Sequence, residues 1–190
     1  MPSNDYPLPK NQRLIRKVAK GDQTAFEALY DRFNAPLYNY LLRLTHDQTV
    51  SENLLQETFL AIWEGAGNYR GDSNVKNWFY AIAHNKAINW LRKTLKDGQS
   101  REIPLNNDAH KQEDSKVNPE EITFTKAQTE DIQDSLGQLS APHRAVLELA
   151  YVHEFTYQEI AQIMGCPEGT VKSRMSYALQ RLSGILKQLS

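Results

Sequence analysis

Apolar residues recur every three or four positions over most of the chain, and no stretch alternates apolar and polar as a half-buried strand would. Gly21-Asp22 precedes a run with Phe26, Leu29, Tyr30, Phe33, Leu37, Tyr40, Leu41 and Leu44 on one helical face. Pro36 lies inside that run and is expected to kink or break the helix. A second run sets Leu54, Leu55, Thr58, Phe59, Ile62 and Trp63 on one stripe and ends near Gly65 and Gly67. After the loop NYRGDSN, the segment VKNWFYAIAHNKAINWLRKTL predicts a third long helix, with Trp78, Ile82, Ile88 and Leu91 as core candidates.

The periodicity then disappears. KDGQSREIPLNNDAHKQEDSKVN is polar and contains Gly, Pro and Asn, the composition of a flexible linker. Pro119-Glu120-Glu121 suits a helix start, with acids in the first turn. Helices are expected over about 119–138, 142–152, 156–164 and 168–187. The expected fold is all-α, with two small helical domains. The division is a tail (1–9), a first domain (10–96), an acidic linker (97–118) and a second domain (119–190).

The second domain carries YQEIAQIMGCPEGTVKSRMSYALQRL. Ile160, Ala161 and Met164 form a short apolar face, Gly165 can take positive φ at the turn, and Pro167 suits the start of the next helix. The spacing Ala161, Gly165, Val171 is that of a helix-turn-helix, whose second helix enters the major groove with its early residues. A plain helical hairpin has the same outline. The local basic charge favours duplex DNA.

Composition sharpens this picture. The 190-residue chain is 40% apolar and 24% charged, as a globular protein is. Its single cysteine excludes an internal disulfide framework. The N-terminus has no apolar core, and no apolar run approaches the roughly 18 residues of a membrane span. A cytoplasmic protein with no membrane insertion is expected. The net charge of -1 hides an uneven distribution. Lys76, Lys86, Arg92, Lys93 and Lys96 face only Asp97 between 76 and 98, and Lys172, Arg174, Arg181 and Lys187 face only Glu168 after residue 165. Between residues 99 and 134, nine acids face four bases.

The first basic segment has a different style. Tyr69, Trp78, Phe79, Tyr80 and Trp90 are interleaved with Lys76, Asn77, His84, Asn85, Lys86 and Asn89. Rings stack on unpaired bases, amides read base edges and amines hold phosphates. Indoles such as those of Trp78 and Trp90 more often fill a core than hold a base, so the polar residues carry the functional reading.

QETFLAIW, YRGDSNVKNWFYAIAHNKAINWLRK and LSAPHRAVLELAYVHEFTYQEIAQIMGCPEGTVKSRMSYALQRL, in that order, resemble the extracytoplasmic-function (ECF) group of bacterial sigma factors. The resemblance implies a partner, core RNA polymerase, and a target, promoter DNA. It implies that the first domain (sigma region 2) recognises and melts the −10 element and that the second (sigma region 4) binds the −35 element as duplex. An anti-sigma protein is implied as regulator, and an acidic linker threading toward the polymerase active-site channel.

By the same resemblance, Glu52, Asn53, Gln56 and Glu57 would contact polymerase, although many relatives carry Asp where Asn53 stands. Asn74, Val75, Lys76, Asn77 and Asn85 would form the pocket and path of the melted strand, and Lys86, Asn89, Arg92 and Lys93 would guide its phosphates. Some relatives have aromatics at Val75 and Lys76, so the preferred base stays open. Thr170, Lys172, Ser173 and Arg174 would meet bases and phosphates of the −35 duplex, with Tyr177, Arg181, Tyr157 and Gln158 nearer the backbone.

His143, His153 and Cys166 match no zinc spacing, and His84 and His153 are expected at helix surfaces. No nucleotide-binding loop or nucleophile triad is present, so neither catalysis, a cofactor nor a small-molecule substrate is expected. Two rivals remain at this point: a ligand-sensing helix-turn-helix regulator, and an inactive relative that titrates a partner.

Overall fold

The computed structural model describes residues 9–96 and 139–188. The expected linker and the helix expected over 119–138 lie outside the described residues. The chain divides into two compact units, Met1–Asn89 and Trp90–Ser190. The described residues contain helices and turns and no strand.

Four helices make up the front of the chain: α1 (Lys10–Val18), α2 (Gln23–Thr45), α3 (Gln48–Gly65) and α4 (Val75–Lys96). Asp22 and Asp47 cap α2 and α3 by accepting hydrogen bonds from the backbone N–H of Ala25 and Val50, each at 2.9 Å. His46 takes the left-handed conformation (φ 54°) that ends α2, so α3 begins after only a short break and packs back on it. The helix α1 was not among those expected. Its signal is short: Ile15 and Val18, three residues apart, are its buried positions.

Pro36 lies inside α2, and of the kink or break expected there, the break does not occur. It lies on the exposed face of the helix, as does Arg32, whose carbonyl loses its intrahelical donor. Water can take that carbonyl, so the lost bond falls where it costs least.

The core face of α4 also differs from expectation. Val75, Phe79, Tyr80, Ala83, Ala87, Ile88 and Leu91 are buried, whereas Trp78 and Ile82 are half-buried. Phe79 meets Phe33 at 4.9 Å and Phe59 at 6.4 Å between ring centroids, joining α2, α3 and α4 through one aromatic cluster. His84 is buried rather than at the surface, and its Nδ1 lies 2.8 Å from the hydroxyl of buried Tyr40. A histidine among apolar neighbours is thereby kept in a polar contact.

The back of the chain has α5 (Ala141–Leu147), running on into a π turn (Glu148–Val152), then α6 (Tyr157–Met164) and α7 (Glu168–Gln188). Thr156 and Glu159 close a capping box at the start of α6: Glu159 N–H donates to Thr156 Oγ1 at 3.3 Å, and Thr156 N–H to Glu159 Oε2 at 2.9 Å. Gly165 ends α6 at φ +61°, as its place in the turn required. The inward residues of α6 are Ile160 and Ile163, with Ala161 and Met164 half-buried. Val171, Met175, Ala178, Leu179 and Leu182 are the buried stripe of α7, which packs on α5 and α6. His153 is buried as well, against expectation. Arg144 is buried in α5, donating to the Leu139 carbonyl at 2.9 Å. Burial pushes its pKa down to about 10, and Glu148 one turn later works in the opposite direction.

Candidate nucleic-acid interface

On α3, burial of Ser51, Leu54, Thr58 and Phe59 turns Glu52, Asn53, Gln56 and Glu57 to the surface together. Leu60 extends this face and is 57% exposed. Glu57 is ion-paired with Lys86 of α4 at 3.1 Å. Two residues expected to serve different partners therefore hold each other.

The strand-path candidates on α4 separate into two groups. Asn85, Asn89, Arg92 and Lys93 are exposed, and Lys76 and Lys86 are half-buried. Val75 is 0% exposed and Asn77 4%, so both belong to the core face and not to the accessible path. Hydrophobic burial decides this: Val75 opens the same helical stripe as Phe79. Phe79 and Tyr80 are core residues for the same reason and offer no ring to a base. Trp78 lies between Gly65, where a Cβ would stand 3.3 Å from the indole, and Tyr69, at 5.0 Å between centroids. Asn74 is exposed, and its side chain accepts a hydrogen bond from Lys76 N–H at 3.0 Å, fixing the first turn of α4.

The loop before α4 forms one wall of a cavity of about 440 Å³. Gly71, Asp72, Ser73 and Asn74 face Lys10, Asn11 and Gln12 of α1 and Arg32 of α2. Tyr69 donates its hydroxyl to the Ser73 carbonyl, and burial raises its pKa, which keeps it a donor. The α1 and α2 residues were missed in the sequence because they lie some forty to sixty positions from the loop and follow no spacing rule.

On α7, Lys172, Ser173, Tyr177 and Arg181 are exposed, and Thr170 and Arg174 are half-buried. Tyr157 is half-buried and Gln158 exposed at the start of α6. Lys172 pairs with Glu168 at 2.8 Å, which raises its pKa and keeps it cationic. Arg174 Nη1 lies 3.8 Å from Cys166 Sγ. The Cys166 thiol is pushed up by burial, which outweighs the lowering effect of Arg174. The Tyr177 and His143 rings lie 4.5 Å apart between centroids, tilted by 36°.

Residues 29–96 match the sigma-70 region 2 family and residues 129–182 match sigma-70 region 4. The ECF RNA polymerase sigma factor SigL of Mycobacterium tuberculosis is 33% identical over 177 residues, covering 92% of this chain and 96% of that protein. The chain belongs to the ECF group of RNA polymerase sigma factors. As a sigma factor it is a transcription initiation factor and not an enzyme. The RNA polymerase sigma-H factor of Pseudomonas aeruginosa is 29% identical over 95% of both chains. Among solved structures, the sigma factor RpoE of Bartonella quintana, in complex with the anti-sigma factor NepR, superposes with a TM-score of 0.64 at 28% identity, covering 85% of this chain and 96% of that one. CnrH, in complex with the cytosolic domain of CnrY, shares the fold with a TM-score of 0.69 at 21% identity, covering 96% of this chain and all of that one. Among the described residues of this sigma factor no helix is long and apolar enough to cross a membrane.

Proposed function

We propose that this sigma factor docks on core polymerase through α3 and reads promoters in two chemically distinct ways. The −10 element is read as a melted strand along α4, and the −35 element as duplex by α7. The observation that carries the reading is the sorting of side chains on these two helices. Each buries an apolar stripe and turns amides, lysines and arginines outward, with Asn85, Asn89, Arg92 and Lys93 on one helix and Lys172, Ser173 and Arg181 on the other. The domain limits follow the sequence expectation, 10–96 and 119–190 about an acidic 97–118.

Glu52, Asn53, Gln56 and Glu57 make the polar polymerase contact, and exposed Leu60 adds an apolar one at its edge. Asn74, Lys76 and the exposed α4 residues line the strand path. Thr170, Lys172, Ser173 and Arg174 enter the major groove, while Tyr157, Gln158, Tyr177 and Arg181 meet phosphates. An anti-sigma protein regulates the factor, a reading supported by the anti-sigma-bound relative of 28% identity. The test is reconstitution with bacterial core polymerase and a pool of promoter fragments. Specific initiation that is lost with Gln56→Ala plus Glu57→Ala is expected. Salt-sensitive duplex binding by the protein alone, with no initiation, would instead make it a stand-alone regulator.

A further inference from the structure

We propose that the basic face of α1 is a phosphate track that carries the melted strand on beyond the −10 element. The proposal rests on the reading of that element as a strand held along α4. Residues 10–21 contain Lys10, Arg13, Arg16, Lys17 and Lys20 and no acid, in a chain whose net charge is -1. All five are exposed. None of them is ion-paired among the described residues, whereas Lys86 and Lys172 are held by Glu57 and Glu168 at 3.1 and 2.8 Å. The next acid along the chain, Asp22, accepts the capping hydrogen bond of α2 at 2.9 Å. At about 3.6 residues per turn, Lys10, Arg13, Arg16 and Lys17 share an arc of about 120° opposite buried Ile15 and Val18. Lys20 follows in the turn after the helix.

Helix stability accounts for only part of this charge. Arg16 and Lys17 in the last turn complement the helix dipole, but Lys10 at the first position opposes it. The face also lies where a strand would need it. Lys10, Asn11 and Gln12 line the cavity beside Ser73 and Asn74, and the hydrogen bond from Arg32 to Asn11 at 3.0 Å ties α1 to α2 on that side. A strand that follows the exposed residues of α4 to Asn74 meets Lys10 next and has Arg13 and Lys17 beyond it. The helix rises about 10 Å from Lys10 to Lys17, the reach of a few nucleotides. Residues 10–21 hold no aromatic, so this face offers cations to phosphates and no ring to a base. The track therefore holds DNA without regard to sequence.

The experiment uses the full chain assembled with core polymerase. The promoter fragments carry a pre-melted −10 element whose non-template strand extends as single strand on either side. Single phosphates are replaced by neutral methylphosphonates, and affinity is measured against salt. In wild type, replacement at a few adjacent phosphates outside the −10 element is expected to weaken binding. The variant Arg13→Gln plus Arg16→Gln plus Lys17→Gln plus Lys20→Gln is expected to lose sensitivity at those phosphates alone. Its salt slope should fall by about 0.7 for each phosphate contact removed. Glutamine is close to lysine and arginine in helix propensity, and an unchanged thermal midpoint checks that the variant is folded. Arg13→Lys plus Arg16→Lys keeps the charge and should bind as wild type does, whatever the bases of the extension. No sensitive phosphate outside the −10 element in wild type, or an unchanged salt slope in the glutamine variant, overturns the track. So does a base preference in the extension that the lysine variant abolishes. Weakened binding of the folded glutamine variant to core polymerase without DNA makes the face a protein-docking surface and overturns the track as well. Wild-type insensitivity to methylphosphonates inside the −10 element overturns instead the melted-strand reading on which the track rests.

Discussion

At the scale of single residues, several polar side chains do structural work that their sequence neighbourhood disguised. Tyr40 and His84 form a buried hydrogen bond at 2.8 Å inside an aromatic core. Tyr40→Phe removes it and is expected to lower stability by about 1–2 kcal/mol, read as a shifted midpoint in urea denaturation with an unchanged slope. Cys166 sits where burial raises the thiol pKa and Arg174 lowers it by less. A raised pKa means less thiolate at neutral pH, so alkylation should be slow at pH 7 and accelerate only above the ordinary thiol range. Arg174→Ala removes the opposing effect and should slow alkylation further at a given pH. Faster alkylation in that variant would show that Arg174 acts by shielding the sulfur rather than by its charge.

At the scale of helices, amphipathicity decided which residues are available for function. The helix α4 reads as an even mixture of aromatic and polar residues, yet its buried stripe takes Val75, Phe79 and Tyr80 out of reach and leaves Asn85, Asn89, Arg92 and Lys93 outside. In α2, Pro36 is tolerated because it faces water. Pro36→Ala restores an intrahelical hydrogen bond and removes a residue about 3 kcal/mol unfavourable in a helix interior. The greater freedom of the unfolded alanine chain offsets about 0.4–1 kcal/mol of that gain. A net increase in thermal midpoint is expected; a decrease would mean that the ring makes packing contacts the helix needs. The Lys86–Glu57 pair between α4 and α3 is largely solvated, so Lys86→Gln should change stability by no more than about 1 kcal/mol. Any larger effect of that variant should appear instead in promoter opening.

At the scale of the whole molecule, the proposed function gives α4 and α7 two kinds of DNA chemistry, which predicts that their defects can be told apart. In a transcription assay, a promoter with a pre-melted −10 element should partly rescue Asn89→Ala plus Arg92→Ala, because the strand no longer has to be opened. It should not rescue Lys172→Ala plus Arg174→Ala, whose loss lies in duplex binding, and that variant should weaken the salt dependence of promoter binding. Equal rescue of both would mean that α7 also acts at the opening step.

Apart from α1, the described helices and the turn at Gly165 were legible in the sequence because periodicity, capping residues and a φ-permissive glycine act locally, and the family was legible from the resemblance of its ordered motifs. The shared exposure of Glu52, Asn53, Gln56 and Glu57 was legible for the same reason, since one amphipathic helix sets it. What only the tertiary structure decided depends on residues far apart in the chain. Which ring of α4 is core follows from Phe33 and Phe59 on other helices, and the burial of His84 follows from Tyr40. The cavity wall of Asn11 and Arg32 against the Gly71–Asn74 loop exists only once α1, α2 and that loop meet, and no local rule of spacing encodes such a meeting.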